Sequence, residues 1–170
     1  MQSMALQPRY VIHLEKEDFK FSSAHFTLFP DREAERFHGH NYRVRLELAG
    51  ETLDELGLLV DLDKVKRSVR ALCSRLDTRT LLPTLAPSVS LEVGAEVDVH
   101  FEGRRYRFPA EDVVLLPIVN VSIERLAELL WQEISTALLG SHVEELSVSV
   151  EETAGQRSSY QARLAQPRSD

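Results

Sequence analysis

The sequence predicts an α+β domain: a four-stranded antiparallel sheet with two helices packed on one face and a β-hairpin inserted between the helices. Three observations carry that reading. Tyr42-Arg43-Val44-Arg45-Leu46-Glu47-Leu48 and Glu145-Leu146-Ser147-Val148-Ser149-Val150-Glu151 alternate apolar and polar residues, the period of strands with one face buried. Residues 61–72 and 122–138 instead space their apolar side chains at helical intervals. The segments follow one another as strand, strand, helix, hairpin, helix, strand, strand, without internal repeat or linker, so residues 1–170 read as one domain with an insertion at about 83–118.

Taken in order, Met1 to Arg9 has no period and reads as a tail. Tyr10-Val11-Ile12-His13-Leu14 opens a strand that runs, with an irregularity near Glu15–Asp18, to Phe26; His13 is a surface residue on it. Thr27 to Phe37 holds Pro30, Asp31 and charges of both signs, a loop leading straight into His38-Gly39-His40 and the second strand. A turn at Ala49–Thr52 and a short extended piece at Leu58–Val60 precede the first helix. In that helix Val65, Val69 and Leu72 form the apolar stripe, Asp61 and Asp63 suit the positive N-terminal end, and Cys73 continues as a small buried hydrophobe. It fades near Leu76-Asp77-Thr78, and Leu81 to Pro87, with two prolines, reads as loop. Ser90 to Phe101, a turn at Glu102-Gly103-Arg104 and a return strand at Arg105–Phe108 form the inserted hairpin, expected to be a surface decoration with His100, Arg104 and Arg105 solvated, against the alternative that it reshapes the pocket or an oligomer edge. Ser122 caps the second helix, whose stripe is Ile123, Leu126, Leu130, Ile134 and Leu138, widened by Leu129 and Trp131 and ended by Gly140. Glu145–Glu151 is a core strand, a turn at Ala154-Gly155 leads to the strand Tyr160–Leu164, and Ala165 to Asp170 frays.

Composition excludes several classes. A formal charge of −7 argues against nucleic acid or an anionic membrane surface as partner. Cys73 is the only cysteine, which rules out an intrachain disulfide and a cysteine-based metal site. No run is apolar enough to span a bilayer and no signal pattern opens the chain, so the expectation is a cytoplasmic protein.

The chemistry is expected around Phe37-His38-Gly39-His40-Asn41-Tyr42. Residues two apart on a strand share a face, so His38 and His40 aim their imidazoles into one space; Gly39 adds no side chain and permits a bend. If the strand ending at His25 pairs antiparallel with the one beginning at His38, the third imidazole arrives beside the other two. Three histidines with an open fourth position is the donor set of catalytic zinc. The bland alternative is three ordinary polar strand residues.

The chain resembles the 6-pyruvoyl tetrahydropterin synthase / 6-carboxytetrahydropterin synthase family. The matching residues are Phe21-Ser22-Ser23-Ala24-His25, His38-Gly39-His40-Asn41-Tyr42, Val60-Asp61 followed by Lys66, Leu76-Asp77, the helix opening Asn120 to Ala127, and Glu152-Thr153. They span most of the chain outside the insertion and the tails. The resemblance implies a tunnelling fold in which protomers join sheets into a trimeric barrel and two rings stack into a hexamer. It implies zinc on His25, His38 and His40, and a reduced pterin substrate, such as dihydroneopterin triphosphate, bound through Glu152 and Thr153. One carboxylate can accept both the exocyclic amine and the adjacent ring N–H of a pterin, which fits that role. The activity implied is a carbon–oxygen or carbon–carbon lyase of folate or queuosine biosynthesis.

The departures matter as much. Family members commonly carry a catalytic cysteine four residues before the first histidine of the pair, where this chain has Ala34. A variant branch has a glutamate three residues before that histidine, and Glu35 stands there. That branch resembles enzymes that cleave the side chain of dihydroneopterin triphosphate toward 6-hydroxymethyl-dihydropterin. Glu35 is therefore the candidate proton carrier, against the alternative of a solvated loop charge. The family's Asp-His pair falls at Asp77-Thr78, so Asp77 remains a catalytic candidate while Thr78 cannot replace an imidazole. The rival reading is a non-catalytic metal- and pterin- or purine-binding module that has lost its proton relay.

Overall fold

The computed structural model describes residues 8–165, and the expected terminal tails lie largely outside them. In chain order the elements are β1 (Tyr10–Leu14), β2 (Lys20–His25), β3 (His38–Gly50), α1 (Leu62–Leu76), β4 (Arg79–Pro83), β5 (Ser90–Val93), β6 (Glu96–Phe101), β7 (Arg104–Pro109), β8 (Val113–Leu116), α2 (Ile123–Thr136), β9 (Glu145–Thr153) and β10 (Gln156–Arg163), with a 3-10 turn at Ala110–Asp112 before β8.

β3 is the spine of the main sheet. On one side it pairs antiparallel with β1 and then β2, which behave as one strand interrupted at residues 15–19; on the other it pairs antiparallel with β9. β10 returns along β9 after the turn at Gly155. Tyr42, Val44, Leu46 and Leu48 of β3 and Leu146, Val148 and Val150 of β9 are buried on one face, where Val65, Val69 and Leu76 of α1 and Leu126, Leu130 and Ile134 of α2 join the same core. Asp61 caps α1 by accepting the amides of Asp63 and Lys64, and Ser122 caps α2 at Arg125. α2 is shorter than its periodicity suggests: it closes at Thr136 and leaves through a turn at Gly140, whose φ of 76° favours glycine.

The predicted antiparallel four-stranded sheet is present as β10-β9-β3-β2, but the complete sheet has seven strands and is mixed. β4 pairs parallel to β2, and β8 parallel to β4. β4 overlaps the start of the segment expected to be loop, and β8 lies in a stretch of the insertion for which no element was expected. β4 is buried along nearly its whole length and β8 is a short apolar run, so neither alternates, and Pro83 closes β4 where a proline does no harm to the ladder. Leu58–Val60 is not a strand: Asp54 folds the segment by accepting the amides of Leu56 and Leu58. The insertion is a three-stranded sheet, β5-β6-β7, because a turn at Gly94 breaks the long first arm. It is also more than decoration. Val97, Val99 and Phe101 bury against Phe26, Ala34 and Leu82, so its apolar face covers the loop between β2 and β3.

Candidate metal centre

The antiparallel register sets His25 directly opposite His38 and Ser23 opposite His40. All three imidazoles therefore lie on the helix-covered face, and one ring nitrogen from each falls within 4.8 Å of the others. Pairing continues unbroken through Gly39, which opposes Ala24, so the bend allowed for there is not used. His25 is 1% exposed. Its Nδ1 lies 2.9 Å from the carbonyl of Val121, just before α2, which only accepts; Nδ1 carries the proton and Nε2 keeps its lone pair. That buried Nε2 has no hydrogen-bond partner. His38 repeats the arrangement, donating Nδ1–H to the carbonyl of Arg36 at 2.8 Å, and its Nε2 meets His40 Nε2 at 2.9 Å. Burial pushes the His25 imidazole down to about 4, so it stays neutral at physiological pH despite the Val121 carbonyl, which pulls the other way.

An orphaned buried nitrogen facing two more imidazoles, with backbone acceptors fixing two of the tautomers, fits a divalent cation of the zinc type. Neutral nitrogen donors and the lack of any thiolate agree with an open catalytic site rather than a closed structural one.

The cluster opens into a cavity of about 490 Å³ whose walls include Thr27, Phe29, Arg32, Glu35, Glu152 and Gln156. Glu35 Oε2 lies 3.8 Å from His38 Nε2, and Glu152 Oε2 lies 3.9 Å from His40 Nε2. The two carboxylates thus stand beside different histidines of the cluster, Glu35 at His38 and Glu152 at His40. Glu152 owes its place to a break in register. Thr153 opposes Gln156 and Glu151 opposes Arg157, so Glu152 has no partner across the ladder. Gln156 donates its amide to Glu152, and Thr153 sits beside it on the same wall. Tyr42 lies behind the cluster with a buried, unpartnered hydroxyl, and burial raises its pKa.

Asp77 is placed elsewhere. As the residue closing α1 it accepts the amide of Ser22 at 2.7 Å, and it lines a different cavity with Asn41 and Arg43. Within one chain the fold does not bring it to the histidines, because the α1–β4 connection runs along the outer edge of β2. Thr78 beside it takes a φ of 58°, strained for a β-branched residue, and donates its amide to the Ser22 carbonyl. His100, on the inserted sheet, is not in the cavity wall, and Arg104, expected to be solvated, is half-buried against residues 33–35. The wall residues that sequence reasoning missed individually include Thr27, Phe29, Arg32 and Gln156; the sign available was their position in the loop and turn next to the motifs.

An α+β protein with this sheet and a three-histidine cavity defines a class, and comparison with known proteins specifies it. Residues 13–163 match the family model of 6-pyruvoyl tetrahydropterin synthase, and the chain belongs to that family. A protein of Methanocaldococcus jannaschii provisionally named a 6-carboxy-5,6,7,8-tetrahydropterin synthase is 34% identical over 149 residues, covering 85% of this chain and 91% of that one. The 6-pyruvoyl tetrahydropterin synthase of Plasmodium vivax superposes with a TM-score of 0.85 at 27% identity, covering 92% of this chain and 99% of that one. A variant of the P. vivax enzyme in which a glutamate described as a catalytic residue is replaced by alanine superposes at 0.81, with 28% identity and coverage of 92% and 99%.

Proposed function

We propose that the chain is a zinc-dependent lyase acting on the side chain of a reduced pterin, dihydroneopterin triphosphate or a close relative, with 6-hydroxymethyl-dihydropterin as the product of carbon–carbon cleavage. The observation that carries this reading is the convergence of His25, His38 and His40 on a cavity walled by two carboxylates. Zinc held by the three histidines supplies Lewis acidity toward the oxygens of the substrate side chain.

The remaining chemistry belongs to the chain. Glu152 accepts the exocyclic amine and ring N–H of the pterin, a charge-assisted pair that fixes the ring's orientation; Gln156 holds that carboxylate and Thr153 adds a hydroxyl on the same wall. Glu35, beside His38, faces the substrate side chain. It takes the proton of a side-chain hydroxyl as the neighbouring C–C bond breaks and a carbonyl fragment leaves, then returns the proton to the carbon left on the pterin. The catalytic glutamate of the P. vivax relative supports a carboxylate in this role. Asp77 has a place in the scheme only from a second copy of the chain, since its carboxylate lies outside its own protomer's cavity. A trimer or hexamer that joins sheet edges supplies such a copy. No helix among the described residues is long and apolar enough to cross a membrane, and the reading places the enzyme in the cytoplasm.

The test is incubation of the zinc-loaded protein with dihydroneopterin and its triphosphate, with pterins identified by mass. Side-chain cleavage is expected, and Glu35→Ala should lower turnover about 100-fold or more while zinc content stays at the wild-type level. Tight pterin binding with no product over a long incubation identifies a binding module instead. No zinc and no pterin binding overturns the reading altogether.

A further inference from the structure

Glu35 sits in a loop with no regular structure, yet every backbone polar group of residues 34 and 35 is held. The Glu35 amide donates to the Thr27 carbonyl at 3.0 Å. The other three groups are taken by the turn between β6 and β7. Both carboxylate oxygens of Glu102 accept the Ala34 amide, at 3.0 and 2.9 Å. One guanidinium nitrogen of Arg104 donates to the Ala34 and Glu35 carbonyls, each at 3.0 Å, and the other reaches Glu33 at 3.2 Å. Glu102 holds this position at a φ of 48°, a left-handed conformation that a glutamate adopts at a cost. The turn is itself anchored: Phe101, the preceding residue, stacks on Phe26 with ring centroids 3.9 Å apart, and Phe37 lies edge-on to Tyr106 at 4.6 Å. The far end of the same loop is fixed separately, by Asn120 bonding both the amide and the carbonyl of Leu28.

We infer that Glu102 and Arg104 are positioning residues: the tip of the inserted sheet clamps the backbone on both sides of Glu35 and fixes where its carboxylate stands relative to His38. The physical reason is that a loop glutamate in a site open to water samples many backbone states, and only a few place the carboxylate against the reacting side chain. The clamp spends its hydrogen bonds on the main chain, so the Glu35 side chain makes none of its own and stays free for chemistry. Charged groups on both sides, a carboxylate on the amide and a guanidinium on two carbonyls, make these bonds stronger than neutral ones. The inserted sheet thus acquires a role in the reaction without touching substrate. This inference rests on the proposed role of Glu35, and its test separates the two.

The informative variant is Glu102→Gly. Glycine accepts φ of 48° without strain, so the turn persists while the grip on Ala34 is lost. Arg104→Met is the second variant, keeping an unbranched side chain of similar reach and removing the two carbonyl contacts. In the zinc-loaded chain both are expected to lower kcat about 10- to 100-fold with KM for the pterin and zinc content unchanged. Amide hydrogen exchange supplies a readout independent of turnover: the Ala34 amide should lose protection in Glu102→Gly. Glu102→Gln, which still accepts that amide, should recover most of both. Combining Glu102→Gly with Glu35→Ala should cost no more than Glu35→Ala alone, because a clamp on an absent carboxylate has nothing to position. If Glu35→Ala is inactive but Glu102→Gly and Arg104→Met turn over like wild type, the clamp is overturned and the role of Glu35 stands. If Glu35→Ala turns over like wild type, both fall. Unchanged protection of the Ala34 amide in Glu102→Gly overturns the clamp even where no substrate is turned over.

Discussion

At the scale of single residues, the site depends on keeping one histidine dry. His25 is enclosed by the core, donates to a backbone carbonyl and leaves a lone pair aimed at two more imidazoles. Enclosure has a thermodynamic consequence for the metal-free chain. The His25 pKa falls from 6.5 to about 4 on folding, so between those values the unfolded chain binds a proton that the folded chain refuses. This contribution is fully present above pH 6.5 and is lost as the pH falls toward 4, amounting to about 3 kcal/mol. Urea unfolding of the metal-free protein at several pH values should show the decline, and His25→Gln should flatten the slope whatever its effect on absolute stability. A wild-type slope in that variant would contradict the assignment. The histidine triad was legible in the sequence because strand period is a local property: a spacing of two fixes a shared face, and an antiparallel partner fixes which ends meet. The setting of Glu35 was not legible, since the groups that hold it come from Glu102 and Arg104, far along the chain, and the sequence shows those only as two charges in a turn.

At the scale of elements, the insertion is the informative part. Its period gave the hairpin, but not the face it buries or what it covers. Phe101 is almost fully enclosed and stacks on Phe26. Phe101→Ala is expected to cost about 3–5 kcal/mol, the range for removing a buried aromatic, and to raise proteolytic nicking between residues 27 and 37. If thermal denaturation shows a loss well under 1 kcal/mol, the insertion does not pack on the loop in solution. β4 and β8 escaped the sequence reading because neither alternates. β4 is covered along nearly its whole length and ends in a proline, and β8 is an apolar run too short to show a period.

At the scale of the molecule, three strands of the main sheet are paired on one side only among the described residues: β10 and β8 at its ends, and β1 beside β3. Open edges invite pairing, and a barrel of joined sheets, the assembly the family resemblance implies, would need such edges. A trimer or hexamer is the expected assembly. Light scattering coupled to size exclusion should therefore give a mass of about three or six chains, and a monomer at micromolar concentration would remove the second copy on which any role for Asp77 depends.

What the sequence by itself determined was the α+β class, the two helices, the spine of the sheet and the face that carries His25, His38 and His40. Each of these follows from periodicity and pairing rules that act over a few residues. What only the tertiary structure decided was which charges converge. It set Glu35 and Glu152 in the wall of the histidine cavity, moved Asp77 to another, and brought the tip of an inserted sheet onto the loop beside the site. Those meetings join residues dozens of positions apart, and no local period constrains where such residues come to lie.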